Sequence, residues 1–502
     1  MTGKILRHVP FLVALLGGVA VRWTVMLGYP GVLWFTGDSY FYLGRALRSS
    51  PSPSKTLGYS FFLDALEAAH SLALVAGLQH AMGLAVAVMV YVLLCRAGLP
   101  AWLAALFTLP VLYDAYQVQL EHLLMSEALF TFLIAASLAL LLWRTPAWWM
   151  LVAAGLLLGY AVLVRSAGAP LIPVVFVVLL LRRGGWRHAP LFGAAAAVPL
   201  LAYMAWFHGT HGTYGLTTSD GIYLWGRTAP FAECAEMKPP SHMEGLCLTP
   251  ELRAKGEAPG RLIWTSEAPP RVVFGNVVGE EANRVLREFA IRAMVAQPGA
   301  YLGAIGDGVG MAFSPERFPH PTASTEALYH FSDRRQLLPA GKSYAGGVSV
   351  LSDAVQYEGS HEVSRVVQPY ADRMIAYQER VYLPGPLLGV LFGVGAVGVL
   401  AARDRRAALM VWGGAVVLLV FPIASADFDY RYVLPTVPFA CLAAGLAFSR
   451  LFAREELGEM ASEGAGRERE AVPAPASRAL RVSRWWGSPG SRRRAKGPAS
   501  EP

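Results

Sequence analysis

The chain has 502 residues, 54% hydrophobic and 16% charged, with a mean hydropathy of +0.41. Soluble domains carry about a quarter charged residues, so this balance excludes a soluble globular protein and points to a polytopic membrane protein. The formal charge of +8 would suit nucleic acid, but the basic residues gather at one set of helix ends and in the tail, a topogenic pattern that excludes that partner.

The N-terminal Met-Thr-Gly-Lys-Ile-Leu-Arg-His leads into an apolar run from about Val9 to Leu27 with no small-residue cleavage site after it. This reads as an uncleaved signal-anchor. Further spans are predicted at about 74–94, 101–113, 123–143, 147–164, 168–181 and 189–207, and, after a polar stretch, at about 383–401, 406–424 and 432–451. The expected fold is an all-α polytopic membrane protein of about ten transmembrane helices, with interfacial amphipathic helices and an external mixed or irregular region. The chain divides into an N-terminal transmembrane module (1–207), an external region (208–380), C-terminal transmembrane helices (381–452) and a disordered, basic cytoplasmic tail (453–502). The tail suits contact with anionic lipid.

Orientation follows from Lys and Arg in the short loops. With the N-terminus inside, inside connections hold Lys4 and Arg7, Arg96, Arg144, then Arg182, Arg183 and Arg187, then Arg403, Arg405 and Arg406, and the tail from Arg450. The short outside connections beyond residue 60 hold little positive charge apart from Arg165 and Arg431. Both termini are therefore expected in the cytoplasm of a multi-pass plasma-membrane protein, with residues 30–60, 114–122, 208–380 and 425–431 on the external face.

Within 208–380, Glu280 to Val295 shows helical periodicity, with Ala282, Val285, Leu286, Phe289, Ala290 and Ala293 on one side. Gln297-Pro298 opens a second apolar helix to about Phe313, whose Asp307 reads as solvated. Cys234 and Cys247 share this region, where oxidation is permitted, so a disulfide is expected over two free thiols.

Ionisable groups at or inside membrane spans are costly, so each is a functional candidate. Asp38, in Trp34-Phe35-Thr36-Gly37-Asp38-Ser39-Tyr40-Phe41-Tyr42, lies where the first span emerges. It reads either as the cap of an amphipathic helix or as a catalytic carboxylate. Leu57-Gly58-Tyr59-Ser60-Phe61-Phe62 follows as an interfacial aromatic stretch, and Tyr40 and Tyr59 are candidates to line a substrate. Glu121, His122 and Glu127 crowd one loop beside an apolar helix. The ordinary alternatives are a helix start for Glu127 and a hydrogen-bonded structural histidine for His122. Arg165 lies outside against the charge rule and needs a partner: a phosphate, onto which guanidinium forks, or Glu121 or Glu127. Arg431, between Tyr430 and Tyr432, reads as part of an aromatic belt or as an anion clamp; two external arginines favour the clamp, with Tyr432 beside it.

These residues, in this order and topology, resemble the type C glycosyltransferases, and within them the bacterial relatives of dolichyl-phosphate-mannose protein mannosyltransferases. The likeness is carried by Gly37-Asp38-Ser39-Tyr40-Phe41-Tyr42, Gly58-Tyr59-Ser60-Phe61-Phe62, Ser126-Glu127-Ala128-Leu129-Phe130-Thr131-Phe132, Arg165, and Tyr430-Arg431-Tyr432-Val433-Leu434-Pro435. It covers roughly residues 9–207 and the final spans. The resemblance implies that Asp38 corresponds to the acidic residue of the first external loop, the catalytic base, and that Glu127 corresponds to a second acidic position where many relatives carry Asp. It implies a polyprenyl-phosphate-linked hexose or pentose as donor, a cell-envelope acceptor, membrane lipids as surroundings, and inverting transfer to an acceptor hydroxyl, with donor phosphate near Arg165 and Arg431. Glu121, Glu127 and His122 would orient Asp38, bind sugar hydroxyls or hold a divalent cation. No nucleotide is needed, which agrees with the lack of a phosphate-cradling Gly-rich loop.

Two rival readings remain. A transporter or flippase of lipid-linked sugar would need polar groups at mid-membrane depth or broken helices in matched halves, and the spans read as largely free of charge. A non-catalytic scaffold would bind cell-envelope polymer through its external region.

Overall fold

In lipid every backbone polar group must be satisfied within the protein, which makes the helix the natural state of a long apolar run. The computed structural model, which describes residues 6–452 apart from 144, 145, 183, 345 and 348, follows that rule. Among the described residues there is no strand, only one isolated parallel bridge between Leu33 and Leu123.

In chain order the elements used below are α1 (Val9–Gly28), α2 (Asp38–Leu47), α3 (Gly58–Asp64), α4 (Leu72–Arg96), α5 (Ala101–Tyr113), α6 (Ala115–His122), α7 (Glu127–Leu141), α8 (Trp148–Val164), α9 (Leu171–Leu180) and α10 (Gly185–His211). They continue with α11 (Asp220–Thr228), α12 (Glu280–Ala296), α13 (Pro298–Ala312), α14 (Val350–Glu358), α15 (Tyr370–Gln378), α16 (Gly385–Ala401), α17 (Arg405–Ser425) and α18 (Tyr430–Phe452).

Five helices, α1, α4, α10, α17 and α18, are long and apolar enough to cross a membrane, and the protein is an integral membrane protein on that count. The other five predicted spans are shorter apolar helices: α5, α7, α8, Ser166–Leu180 and α16. At 1.5 Å per residue, 13 residues reach only about 20 Å, short of a hydrocarbon core of about 30 Å. The span expected from 123 begins at Glu127 instead, because Leu123 is extended and the chain there pairs with Leu33: Leu33 N donates to His122 O, and Leu124 N donates to Leu33 O, both at 2.9 Å. The helices pack in a bundle, with α10 along α8, α4 against α5 and α7, α1 against α5, and α16 against α17. The first span, read as an apolar run, carries Arg22, which is 3% exposed.

The 208–380 region, expected to be mixed or irregular, is built of short helices among the described residues. It divides by core. Ile222 and Trp225 of α11, Leu286 and Phe289 of α12, and Met243, Leu246 and Leu262 between them form a separate hydrophobic cluster. Burial of each such large apolar side chain contributes about 1.5–3 kcal/mol. Cys234 and Cys247 form a disulfide beside it, with Cα atoms 6.3 Å apart. Tyr329, Phe331, Tyr357, Ala371 and Met374, by contrast, belong to the core of the membrane helices, because α15 packs on α1 and α14 on α2. The tail expected from 453, and the first five residues, lie outside the described residues.

Candidate functional site

Asp38 is the first residue of α2, and Gly37 holds the cap position at φ 86°, a left-handed conformation that suits glycine. Ser39 Oγ turns back to accept from Phe35 N at 2.8 Å. The Asp38 carboxylate is thus not spent on capping. Its Oδ1 takes Lys55 Nζ, its Oδ2 takes Arg431 Nη1, and the side chain stays 17% exposed.

Arg431 opens α18, where Asp429 caps the first turn. Its Nε lies 3.1 Å from Asp429 Oδ2, and its guanidinium sits 5.3 Å from the ring centres of both Phe35 and Tyr432. Asp429 Oδ1 in turn accepts from Tyr329 OH at 2.5 Å. The Arg165 guanidinium also lies by Tyr432, again 5.3 Å from the ring centre. Arg165 follows the last residue of α8 and pairs through Nη1 with Glu127, the first residue of α7. Arg165 Nη1 also donates to Ser126 Oγ at 3.3 Å, and Ser126 Oγ lies 3.3 Å from Tyr42 OH.

The result is a continuous polar row, Lys55–Asp38–Arg431–Tyr432–Arg165–Glu127, joining parts of the chain up to 393 residues apart. Three cations balance three carboxylates once Asp429 is included. Burial works to raise the Asp38 carboxyl, but Lys55 and then Arg431 outweigh it and hold the group below the usual carboxylate range. Lys55 moves the other way: burial favours loss of its proton, and Asp38 overrides that and holds it above the usual lysine range. Burial raises Asp429, with Arg431 opposing. Chemically, the row offers cations on which an added anion can compete, and a carboxylate, Asp38, that such competition would release. Among the described residues no three His, Cys, Asp or Glu side chains gather to hold a metal ion. The carboxylates of the row already face Lys or Arg, so these residues do not fit a divalent cation, and no step here passes through one.

Of the predicted site residues, Asp38, Glu127, Arg165, Arg431 and Tyr432 come together. Glu121 and His122 do not join them. Glu121 accepts from Arg22 Nε and Nη2, both at 2.8 Å, and from His80 Nδ1 at 2.9 Å. His122 lies against His80 and the Tyr29 carbonyl. Arg165 takes Glu127 rather than Glu121 as partner. Tyr59 is fully buried, with its hydroxyl donating to Gln79 Oε1 at 2.6 Å and its ring edge-on to Tyr42, so it presents no surface to a substrate. Tyr40 is packed between Trp34 and Tyr344.

Lys55, Asp429, Tyr329 and Tyr223 went unassigned from sequence. Lys55 carried a usable signal: it is a lone lysine in Ser50-Pro51-Ser52-Pro53-Ser54-Lys55, on the side of the membrane where the charge rule disfavours it. Asp429 lies in the 425–431 connection, where the sequence gives it no role of its own. Tyr329 and Tyr223 lie in segments without a motif. The Tyr223 hydroxyl lies in the electrostatic field of Lys55, Asp38, Tyr432 and Arg431, and burial raises it.

No family model matches the chain, and no curated protein matches it. Among solved structures it is similar to the archaeal oligosaccharyltransferase AglB from Archaeoglobus fulgidus in complex with an inhibitory peptide and a dolichol-phosphate, at 13% identity and a TM-score of 0.40, over 93% of this chain and 52% of that one. The same oligosaccharyltransferase tethered to an acceptor peptide containing the NVT sequon matches at 12% identity and a TM-score of 0.42, over 89% and 50%. ArnT from Cupriavidus metallidurans in the apo state matches at 14% identity and a TM-score of 0.31, over 87% and 76%. The chain thus spans about half the length of the oligosaccharyltransferase. Likenesses this distant carry no chemistry from one protein to the other.

Proposed function

We propose that this protein is a membrane glycosyltransferase that moves a sugar from a polyprenyl-phosphate donor to an acceptor hydroxyl at the external membrane surface. The observation that carries this reading is the row itself: a half-buried carboxylate gripped by two cations, with a second guanidinium–carboxylate pair joined to it through Tyr432. Three cations gathered on one partly exposed row, each exchangeable between its carboxylate and an added anion, suit a visiting phosphate. The ten apolar helices act as ten crossings, the shorter ones completed by the extended and 3₁₀ segments at their ends, and the positive-inside count puts the row outside.

The reaction runs as a direct displacement. The prenyl chain lies among the helices, and the donor phosphate settles on Arg431, Arg165 and Lys55. The acceptor oxygen forms its bond to the anomeric carbon as the bond from that carbon to the phosphate oxygen breaks, with inversion. Asp38 takes the acceptor proton, and the departing lipid phosphate keeps the electron pair under the field of the cations. A carboxyl held as low as Asp38 is a weak base in the free protein. When phosphate draws Lys55 and Arg431 away, the carboxylate becomes more basic in the complex, where a base is needed.

A transporter of lipid-linked sugar has one observation in its favour, the charged group Arg22–Glu121–His80 buried among α1, α4 and α6. Those groups are paired with one another, which leaves them no free valence for a passing headgroup. The deciding experiment incubates purified protein in nanodiscs with a panel of polyprenyl-phosphate hexoses and pentoses and follows sugar release and product anomeric configuration by NMR. Release of inverted product supports the transferase. Intact donor across the whole panel, with donor moved between leaflets, overturns it.

A further inference from the structure

Glu121 and His122 sit apart from Asp38, yet they are tied to both segments that carry the row. His80 Nδ1 donates to Glu121, His80 Nε2 lies 3.0 Å from His122 Nδ1, and His122 Nε2 donates to Tyr29 O at 2.8 Å. Arg22 forks onto Glu121 from the other side and donates to Leu112 O at 2.8 Å. Arg22, His80, Glu121 and His122 are each at most 4% exposed. A Cβ at Gly83 would collide with the Glu121 carboxylate, so the α4 backbone is kept bare where the carboxylate passes. Gln79, from the same helix, donates to both Glu121 O and Leu123 O at 2.8 Å.

The residues so gripped lead directly into the site. Leu123 bridges to Leu33. Five residues beyond Leu33 is Asp38, and four beyond Leu123 is Glu127. Tyr42 and Ser126 make a second tie between the same two segments further along.

We infer that Arg22, His80, Glu121 and His122 form a buried positioning clamp that sets the spacing between Asp38 and the Glu127–Arg165 pair. The inference rests on the transferase reading for its kinetic consequence but not for its structural one. None of the four is a catalytic residue; each acts through the paired 29–33 and 121–124 segments. Buried ionisable groups must be held by partners, and four of them on one short pairing are well placed to hold it to a fraction of an ångström, the tolerance that in-line transfer requires.

The test compares His122→Ala and His122→Gln with the wild type in nanodiscs; the glutamine retains an N–H for the Tyr29 carbonyl. Three readouts are taken: kcat, binding of unreactive polyprenyl phosphate, and hydrogen exchange at the Leu33 and Leu124 amides. For His122→Ala, kcat falls by about 10- to 100-fold, lipid-phosphate binding stays within about twofold, and exchange quickens at those two amides. His122→Gln restores most of kcat. A kcat within twofold of wild type in folded His122→Ala overturns the inference, and so does a parallel loss of binding, melting temperature and amide protection throughout the chain. If the wild type transfers no sugar, the transferase reading fails alone; unchanged protection at Leu33 and Leu124 in His122→Ala would then still sink the clamp.

Discussion

Replacing Asp38 by Asn yields a variant that is inactive and yet grips donor more tightly. In the free protein Lys55 and Arg431 are held by the Asp38 carboxylate, and a donor phosphate must compete with it for them. A neutral carboxamide in its place cannot compete as a charge, and the row changes from three cations against three carboxylates to an excess of one positive charge. A unit charge about 6 Å from the phosphate is worth about 3 kcal/mol at an effective dielectric of about 20. The flanking side chains are 16–26% exposed, and with salt screening the gain falls to about 1–2 kcal/mol. That is roughly 5- to 30-fold tighter binding. Loss of the base, by contrast, lowers kcat by about 10²–10⁴-fold. Titration calorimetry with an unreactive polyprenyl phosphate measures the first quantity, and single-turnover transfer from labelled donor the second. Weaker lipid-phosphate binding by Asp38→Asn, or turnover within about tenfold of wild type, would refute the reasoning.

Reduction of Cys234–Cys247, or replacement of both by Ser, should loosen the cluster around Trp225 and Phe289 by about 3 kcal/mol, the scale for a loop of this length; limited proteolysis should then cut within 230–280 while the membrane helices stay intact. The stability difference between wild type and Asp38→Asn should depend on pH. Asp38 is held low in the folded state, so its contribution is present above its unfolded pKa of about 3.9 and is lost as pH falls further; melts of the two proteins should differ at neutral pH and converge in strong acid. Initial-rate kinetics should be sequential with donor bound first, because Asp38 gains basicity only once phosphate has drawn off its cations. Rates that fit acceptor-first binding equally well would contradict that.

The apolar helices were legible because lipid leaves a long apolar run little alternative, and Arg165 and Arg431 were legible because each broke the charge rule. That Asp38 and Arg431 would meet followed from their placement at helix ends on one face. Lys55 escaped notice inside a Ser/Pro run, although the rule that exposed Arg165 applied to it as well. Arg22 was hidden for a different reason: in a run as apolar as α1, a hydropathy average absorbs one charge. Arg22 and His80, the partners of Glu121, lie 99 and 41 residues from it in the chain, too far for spacing to reveal the pairing. The helices of the 208–380 region are mostly four to nine residues long, too short for a helical period to show. The Glu280–Ala296 helix, at 17 residues, was long enough and was read from its apolar face.

The division of the 208–380 region into two cores has a consequence for the site. Tyr329 lies in the half that shares the membrane-helix core, and its hydroxyl holds Asp429, which holds Arg431, which holds Asp38. That half cannot vary freely without moving the base. Tyr223 lies on α11, in the half with its own core and disulfide, and its hydroxyl lies in the electrostatic field of Lys55, Asp38, Tyr432 and Arg431. A surface that must be reshaped to suit one acceptor or another is better carried by a unit whose packing is independent of the cations and the base. On the transferase reading we propose that residues 327–378 support the reacting groups and that 220–297, tied to the same end of the molecule by Gly260 N donating to Asp427 Oδ2 at 2.8 Å, is the part that adapts to the acceptor.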